Sequence, residues 1–147
     1  MAGTLIVKEF ERKDLYSIVQ HINQGLTINL SACVDYTASN GNPVNSSSLH
    51  YIQPSGSLNM YQLALKNVIT VLEVYDTDKE IPVYGFGGFS PALGFNQTNH
   101  CFALTGDMQE PSAIGCKGVL SLYKDTISKI KLSGPTYFAP IINETIS

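Results

Sequence analysis

The chain lacks a basic run, a long apolar stretch and an even set of cysteines, and each shortage closes off a class of function. Nine Lys and Arg against twelve Asp and Glu leave a net charge of −3 over 147 residues. No Lys/Arg cluster is present to meet phosphates or anionic lipid, so nucleic-acid binding is not expected. No apolar run nears the ~18 residues of a membrane span. The apolar start at residues 1–7 breaks at Lys8 and Glu9, too early for the core of a signal peptide. Gly3 stands one place too late for N-myristoylation. Cys33, Cys101 and Cys116 are odd in number and irregularly spaced, which fits a reducing, cytoplasmic setting better than a disulfide framework. In that setting the glycosylation-type triplets at Asn45, Asn96 and Asn143 read as chance matches.

What is present suffices for one domain with a real core, since a chain of this length buries roughly 68–70% of its unfolded surface. Residues 4–10 read as a short strand. Residues 14–23 read as a helix, with Asp14 as N-cap, Leu15, Ile18, Val19 and Ile22 on one face, and Gly25 as the stop. Residues 27–34 alternate, with Ile28, Leu30, Ala32 and Val34 on one face and Thr27, Asn29, Ser31 and Cys33 on the other. Residues 40–57 are a loop by composition, long enough to suggest function, and Leu49-His50-Tyr51-Ile52 within it is expected to pack inward. Residues 59–75 carry a helical stripe of Tyr61, Leu65, Val68, Leu72 and Tyr75, widened by Ala64 and Val71.

Residues 81–86 read as a strand with Pro82 near its start, 101–104 as a short apolar strand, 112–126 as a weaker helix and 130–132 as extended. Gly134-Pro135-Thr136 is a turn, and Pro140 opens a last helix carrying Ile141, Ile142 and Ile146. This order predicts an α/β layered domain, with strands 27–34 and 81–86 parallel through a right-handed crossover.

Ligands of open α/β sheets bind beyond the carboxyl ends of the strands. There the sequence places Asp35, Thr37 and Ser39, two apart and able to converge in an extended segment. A carboxylate and two hydroxyls suit a hard cation such as Mg²⁺ and leave positive charge for a partner's carboxylate. Gly85-Phe86-Gly87-Gly88-Phe89-Ser90 fails both the Walker and Rossmann spacings and reads as glycines for a tight turn. His50, His100, Cys101 and Cys116 lack zinc-ligand spacing, and Cys33 and Cys116 read as core filler. No nucleophile elbow is present, and Asp76 with Asp78 reads as a polar helix end rather than a catalytic pair.

Several longer segments together carry a family resemblance. They are residues 25–29, Val34-Asp35-Tyr36-Thr37-Ala38-Ser39-Asn40-Gly41-Asn42-Pro43, Ser48-Leu49-His50-Tyr51-Ile52, Tyr75-Asp76-Thr77-Asp78-Lys79, Tyr84-Gly85-Phe86-Gly87 and residues 132–142. In this order they resemble the von Willebrand factor A-like domain of copines. The resemblance implies a three-layer αβα fold with a mostly parallel sheet and one antiparallel edge strand at 101–104. It divides the chain into a linker strand and helix (1–24) and the front part of an A-like domain (25–147), without its last strands.

It also implies a metal-ion-dependent adhesion site holding Mg²⁺ or Mn²⁺ through Asp35, Thr37, Ser39 and Thr136. No third-loop Asp is present, so weak binding is expected. The implied function is non-enzymatic: an intracellular protein-interaction domain of a copine-like, Ca²⁺-dependent phospholipid-binding protein that contacts an acidic residue of its partner. Membrane recruitment would come through C2 domains outside this chain, and the free edge of strand 27–34 implies self-association. The alternative is the substrate-recruiting domain of a RING-type ubiquitin ligase. A phosphotransferase would need a nucleotide-binding feature that the sequence does not show.

Overall fold

The computed structural model describes residues 3–4, 6–13 and 15–146. Strand β1 (Ala32–Asp35) pairs in parallel with β2 (Glu80–Phe86), from Ala32 opposite Val83 to Asp35 opposite Phe86. The alternation in the sequence is realised: Ala32 and Val34 are buried while Ser31 and Cys33 are exposed. Cys33 is therefore not core filler. It points to the face opposite Val34, as its place in the pleat requires.

Five further strands complete this sheet and build a second, smaller one. β5 (Phe102–Ala103) lies antiparallel on β2 as the expected edge, and β6 (Ser112–Ile114) pairs with the first half of β2. The helix expected over 112–126 starts three residues late for that reason. α3 runs Gly115–Ile127, and Ile114 ends a strand with its side chain exposed. A second sheet joins β3 (Gly88–Ser90), β4 (Phe95–Asn99) and β7 (Lys131–Leu132) in the order β4-β3-β7. β4 is too polar and short to show an apolar alternation. Only the β1–β2 ladder is parallel, so "mostly parallel" does not describe the ladders of the described residues.

α2 (Met60–Leu72) begins with a capping box between Asn59 and Gln62 and packs on α3. Its buried line is turned from the expected stripe. Ile69 is 1% exposed while Val68 and Val71 are exposed, because the sheet and α3 take the side carrying Gln62, Leu65 and Ile69. Together with Val34, Tyr36, Ile81, Val83, Phe102, Val119, Tyr123, Ile127 and Ile130 these helices form the main core. On the other face of β2, Ile141 of α4 (Ala139–Ile146) joins Tyr84, Phe86 and Ala103 in a smaller cluster.

The amino-terminal expectations fare differently. Residues 6–13 form no strand, and Leu5 and Asp14 lie outside the described residues. α1 (Ile18–Asn23) is capped by Ser17 through a capping box with Gln20 and buries none of its side chains. Leu15, Ile18 and Val19, expected to share one helix face, are exposed, and Ile22 is half-buried.

The first peptides of α3 have no side-chain N-cap, and Glu73, the C-cap residue of α2, fills the gap. Its Oε2 accepts the Cys116 N–H at 3.0 Å. A carboxylate at a helix N-terminus satisfies an orphan donor and complements the dipole. Glu73→Ala is expected to cost about 0.5–2 kcal/mol, the range of a lost N-cap. Urea unfolding followed by circular dichroism measures it.

Candidate metal centre

Asp35 closes β1, and the chain then turns through a 3₁₀ segment, Ala38–Asn40. The Thr37 N–H donates to Asp35 Oδ1 at 2.7 Å, and the Thr37 hydroxyl donates to the same oxygen. The second limb comes from 99 residues away, where the Thr136 hydroxyl donates to Thr37 Oγ1 at 2.8 Å. Three of the four residues expected from the sequence thus converge. Ser39 sits on the exposed side of the 3₁₀ turn, and no hydrogen bond joins its hydroxyl to the other three.

Backbone pairing brings the two limbs together. Thr37 forms a parallel bridge with Ser133, and the Ala38 N–H donates to the Ser133 carbonyl. The Ser133 N–H donates to the carbonyls of Tyr36 and Gly87, at 3.2 and 3.0 Å. The Thr98 and Ser133 hydroxyls share a 2.7 Å hydrogen bond, and the His100 ring packs on Tyr137, centroids 4.7 Å apart. The end of β4 therefore supports the loop that delivers Thr136. Spacing in the sequence does not single out Thr98 or Ser133, since their partners are remote in the chain.

Behind the loop lies a second, buried set of polar contacts. The Asp35 carbonyl is bonded by Asn40 Nδ2 at 3.1 Å and His50 Nε2 at 2.8 Å. Asn40 Nδ2 also donates to the Thr37 carbonyl, and its Oδ1 accepts the Tyr61 hydroxyl at 3.0 Å. Burial, with the Asp35 charge adding to it, pushes the Tyr61 phenol up to about 12, so it stays a donor. Ser48 Oγ donates to the carbonyls of Asn40 and Gly41, which folds the 40–57 loop back onto the turn. His50 is fully buried and stacks between Tyr36 and Tyr61, at 5.3 and 4.1 Å. Burial lowers its pKa, so the ring is neutral at neutral pH. A His and apolar neighbours inside a polar loop were the one signal in the sequence, but Leu49 beside it points outward.

The donor set fits a hard cation. All atoms are oxygens, Asp35 Oδ2 accepts no hydrogen bond from the described residues, and Thr37 and Thr136 Oγ1 lie 2.8 Å apart. Adjacent ligands of an octahedral Mg²⁺, with bonds of about 2.1 Å, sit ~2.9–3.0 Å apart. The hydroxyls are thus spaced as neighbouring ligands. Among the described residues no three His, Cys, Asp or Glu side chains gather as a metal cluster, so one carboxylate carries the charge of this set.

Comparison with known proteins gives consistent matches. The Copine family model matches residues 48–147. The chain is 43% identical to Copine-A of Dictyostelium discoideum over 142 residues, covering 97% of this chain and 23% of that protein. It is 39% identical over 143 residues to Protein BONZAI 1 and 37% identical over 143 to Protein BONZAI 2, both of Arabidopsis thaliana, covering 97% of this chain and 24% of each. The chain spans about a quarter of the length of these curated relatives.

Proposed function

The chain belongs to the copine family, and from that premise we propose that it is the metal-bearing part of a copine-type protein-interaction domain with an A-like fold. The observation that carries the reading is the convergence of Asp35, Thr37 and Thr136 at the end of β1, across 99 residues of sequence. These residues would hold Mg²⁺ or Mn²⁺, with Ser39 reaching it only if its turn rearranges. The metal, when bound, supplies positive charge for a carboxylate of a partner protein. The chain's own part is to present neutral hydroxyls, which leave that charge uncancelled. Binding, not catalysis, is the activity of such a site. An intracellular partner and, in a longer protein, Ca²⁺-dependent phospholipid binding belong to the same reading. A substrate-recruiting role in a RING-type ligase would use the same face.

An open groove of about 490 Å³ adjoins the loop, lined among others by Ala38, Asn42, Val44, Ile127, Lys131 and Leu132. It gives a partner segment room beside its metal-bound carboxylate. Among the described residues β1 has no strand on its outer side, since the sheet runs β1-β2-β5. An unpaired edge beside the apolar groove lined by Leu30, Leu65 and Val68 supports self-association along it.

Mn²⁺ titration followed by electron paramagnetic resonance tests the site. With one carboxylate in the described set, binding weaker than ~10⁻⁴ M is expected, in line with the dependence of affinity on ligand charge. Asp35→Ala should abolish it. Binding of unchanged strength in Asp35→Ala would refute the assignment.

A further inference from the structure

We infer that His50 is the positioning residue of the Asp35 loop: a tautomer-locked clamp that draws the Asp35 carbonyl into the core and so turns its carboxylate outward. The chemical role of that carboxylate rests on the reading above, but the clamp itself does not. A carbonyl can only accept, so the 2.8 Å contact between His50 Nε2 and the Asp35 carbonyl puts the ring proton on Nε2. Nδ1 is then the acceptor, and the Tyr123 hydroxyl donates to it at 2.8 Å. That hydroxyl in turn accepts from Asn59 Nδ2 at 3.1 Å, while Asn59 Oδ1 caps α2 by accepting the Gln62 N–H at 2.8 Å.

One directed chain therefore runs from the start of α2, through α3 and the 40–57 loop, to the end of β1. Every proton in it has one direction. Asn59 cannot reverse, because its oxygen is committed to the helix; Tyr123 then must donate to His50, and His50 to Asp35. The chain also accounts for the length of the 40–57 loop. It carries an imidazole to the carbonyl that ends β1. His50 is sandwiched between Tyr36 and Tyr61, with Ser48 Oγ accepting its own N–H, so neither ring nor backbone is free to swing. A buried network with every member satisfied specifies one arrangement.

Two substitutions separate positioning from bulk. Glutamine places an amide N–H where Nε2 stands, whereas asparagine reaches only the Nδ1 position. Amide hydrogen exchange of residues 37–41 in the 147-residue chain is the readout. Exchange should rise about tenfold or more in His50→Asn, the scale for a buried acceptor that loses its donor, and stay near wild type in His50→Gln. Equal acceleration in both variants would mean that ring volume alone matters and would overturn the clamp. Should either variant fail to fold, the wild-type imidazole ¹⁵N spectrum decides. Protonated Nε2 with bare Nδ1 supports the clamp, and the reverse tautomer overturns it. Mn²⁺ binding measured in parallel keeps the two readings apart. Protection that follows the Gln/Asn pattern in a chain that binds no Mn²⁺ upholds the clamp and removes the metal. Mn²⁺ binding with unchanged protection in His50→Asn does the opposite.

Discussion

Gly87→Ala is expected to destabilise the fold by about 2–5 kcal/mol, summing left-handed strain with overpacking, and to pull the two limbs of the site apart. Gly87 has φ +77°, and a Cβ there would lie 2.6 Å from Thr37 Oγ1 and 3.1 Å from its amide nitrogen. Both neighbours are fixed. The Thr37 N–H and hydroxyl are held by Asp35, and the Gly87 carbonyl accepts the Ser133 N–H. The added methyl must therefore displace the hydroxyl that joins Asp35 to Thr136. Gly94→Ala is the control, because its φ is +91° but nothing lies within 4 Å of the added carbon. It should show only the strain, about 1–2 kcal/mol. Calorimetric melting of both variants, with Mn²⁺ titration of each, checks the prediction. Equal melting temperatures for the two would contradict it.

Tyr36→Ala is expected to cost about 3–5 kcal/mol, the range for emptying a buried aromatic site. The ring is fully buried against His50 and Phe102, and it fills the space that the bare Cα atoms of Gly85 and Gly88 leave open. A cavity there removes the stacking partner of His50 and the residue next to Asp35 together. For a chain of this size the loss corresponds to a fall of roughly 10 °C or more in Tm. Tyr36→Phe should behave very differently. The Tyr36 hydroxyl makes no well-formed hydrogen bond among the described residues and has only the Thr126 side chain as a polar neighbour, so its removal leaves stability within about 1 kcal/mol of wild type. Denaturant melts of the pair separate ring from hydroxyl.

The elements with strong local signals were legible before any coordinates. The alternation before Asp35, a helix within residues 59–75 and the β1–β2 parallel pairing appear where the pattern puts them, and the antiparallel edge at Phe102–Ala103 appears where the resemblance puts it. Elements whose reason is a distant partner were not. Ser112–Ile114 looked like the start of a helix and became a strand because β2 offers it an edge. β4 carries Asn96, Gln97, Thr98 and Asn99, of which only Thr98 favours a strand, yet β3 pairs with it. The apolar residues read onto one face of a helix over 14–23 are exposed at Leu15, Ile18 and Val19, and only Ile22 is half-buried.

The candidate site divides along the same line. The sequence alone determined the donor chemistry, because Asp35, Thr37 and Ser39 follow one another at the end of a strand. The resemblance of residues 132–142 added Thr136. Local spacing can propose convergence but cannot deliver it, since a side chain's direction depends on what holds its backbone. Tertiary structure decided that Thr136 reaches Thr37 and that Ser39 stays apart on its turn. It also decided that His50, Asn40 and Tyr123 stand behind Asp35 rather than in a loop or a core of their own. Those contacts join residues up to 99 positions apart, and only the packed chain brings them within the 3 Å at which hydrogen bonds act.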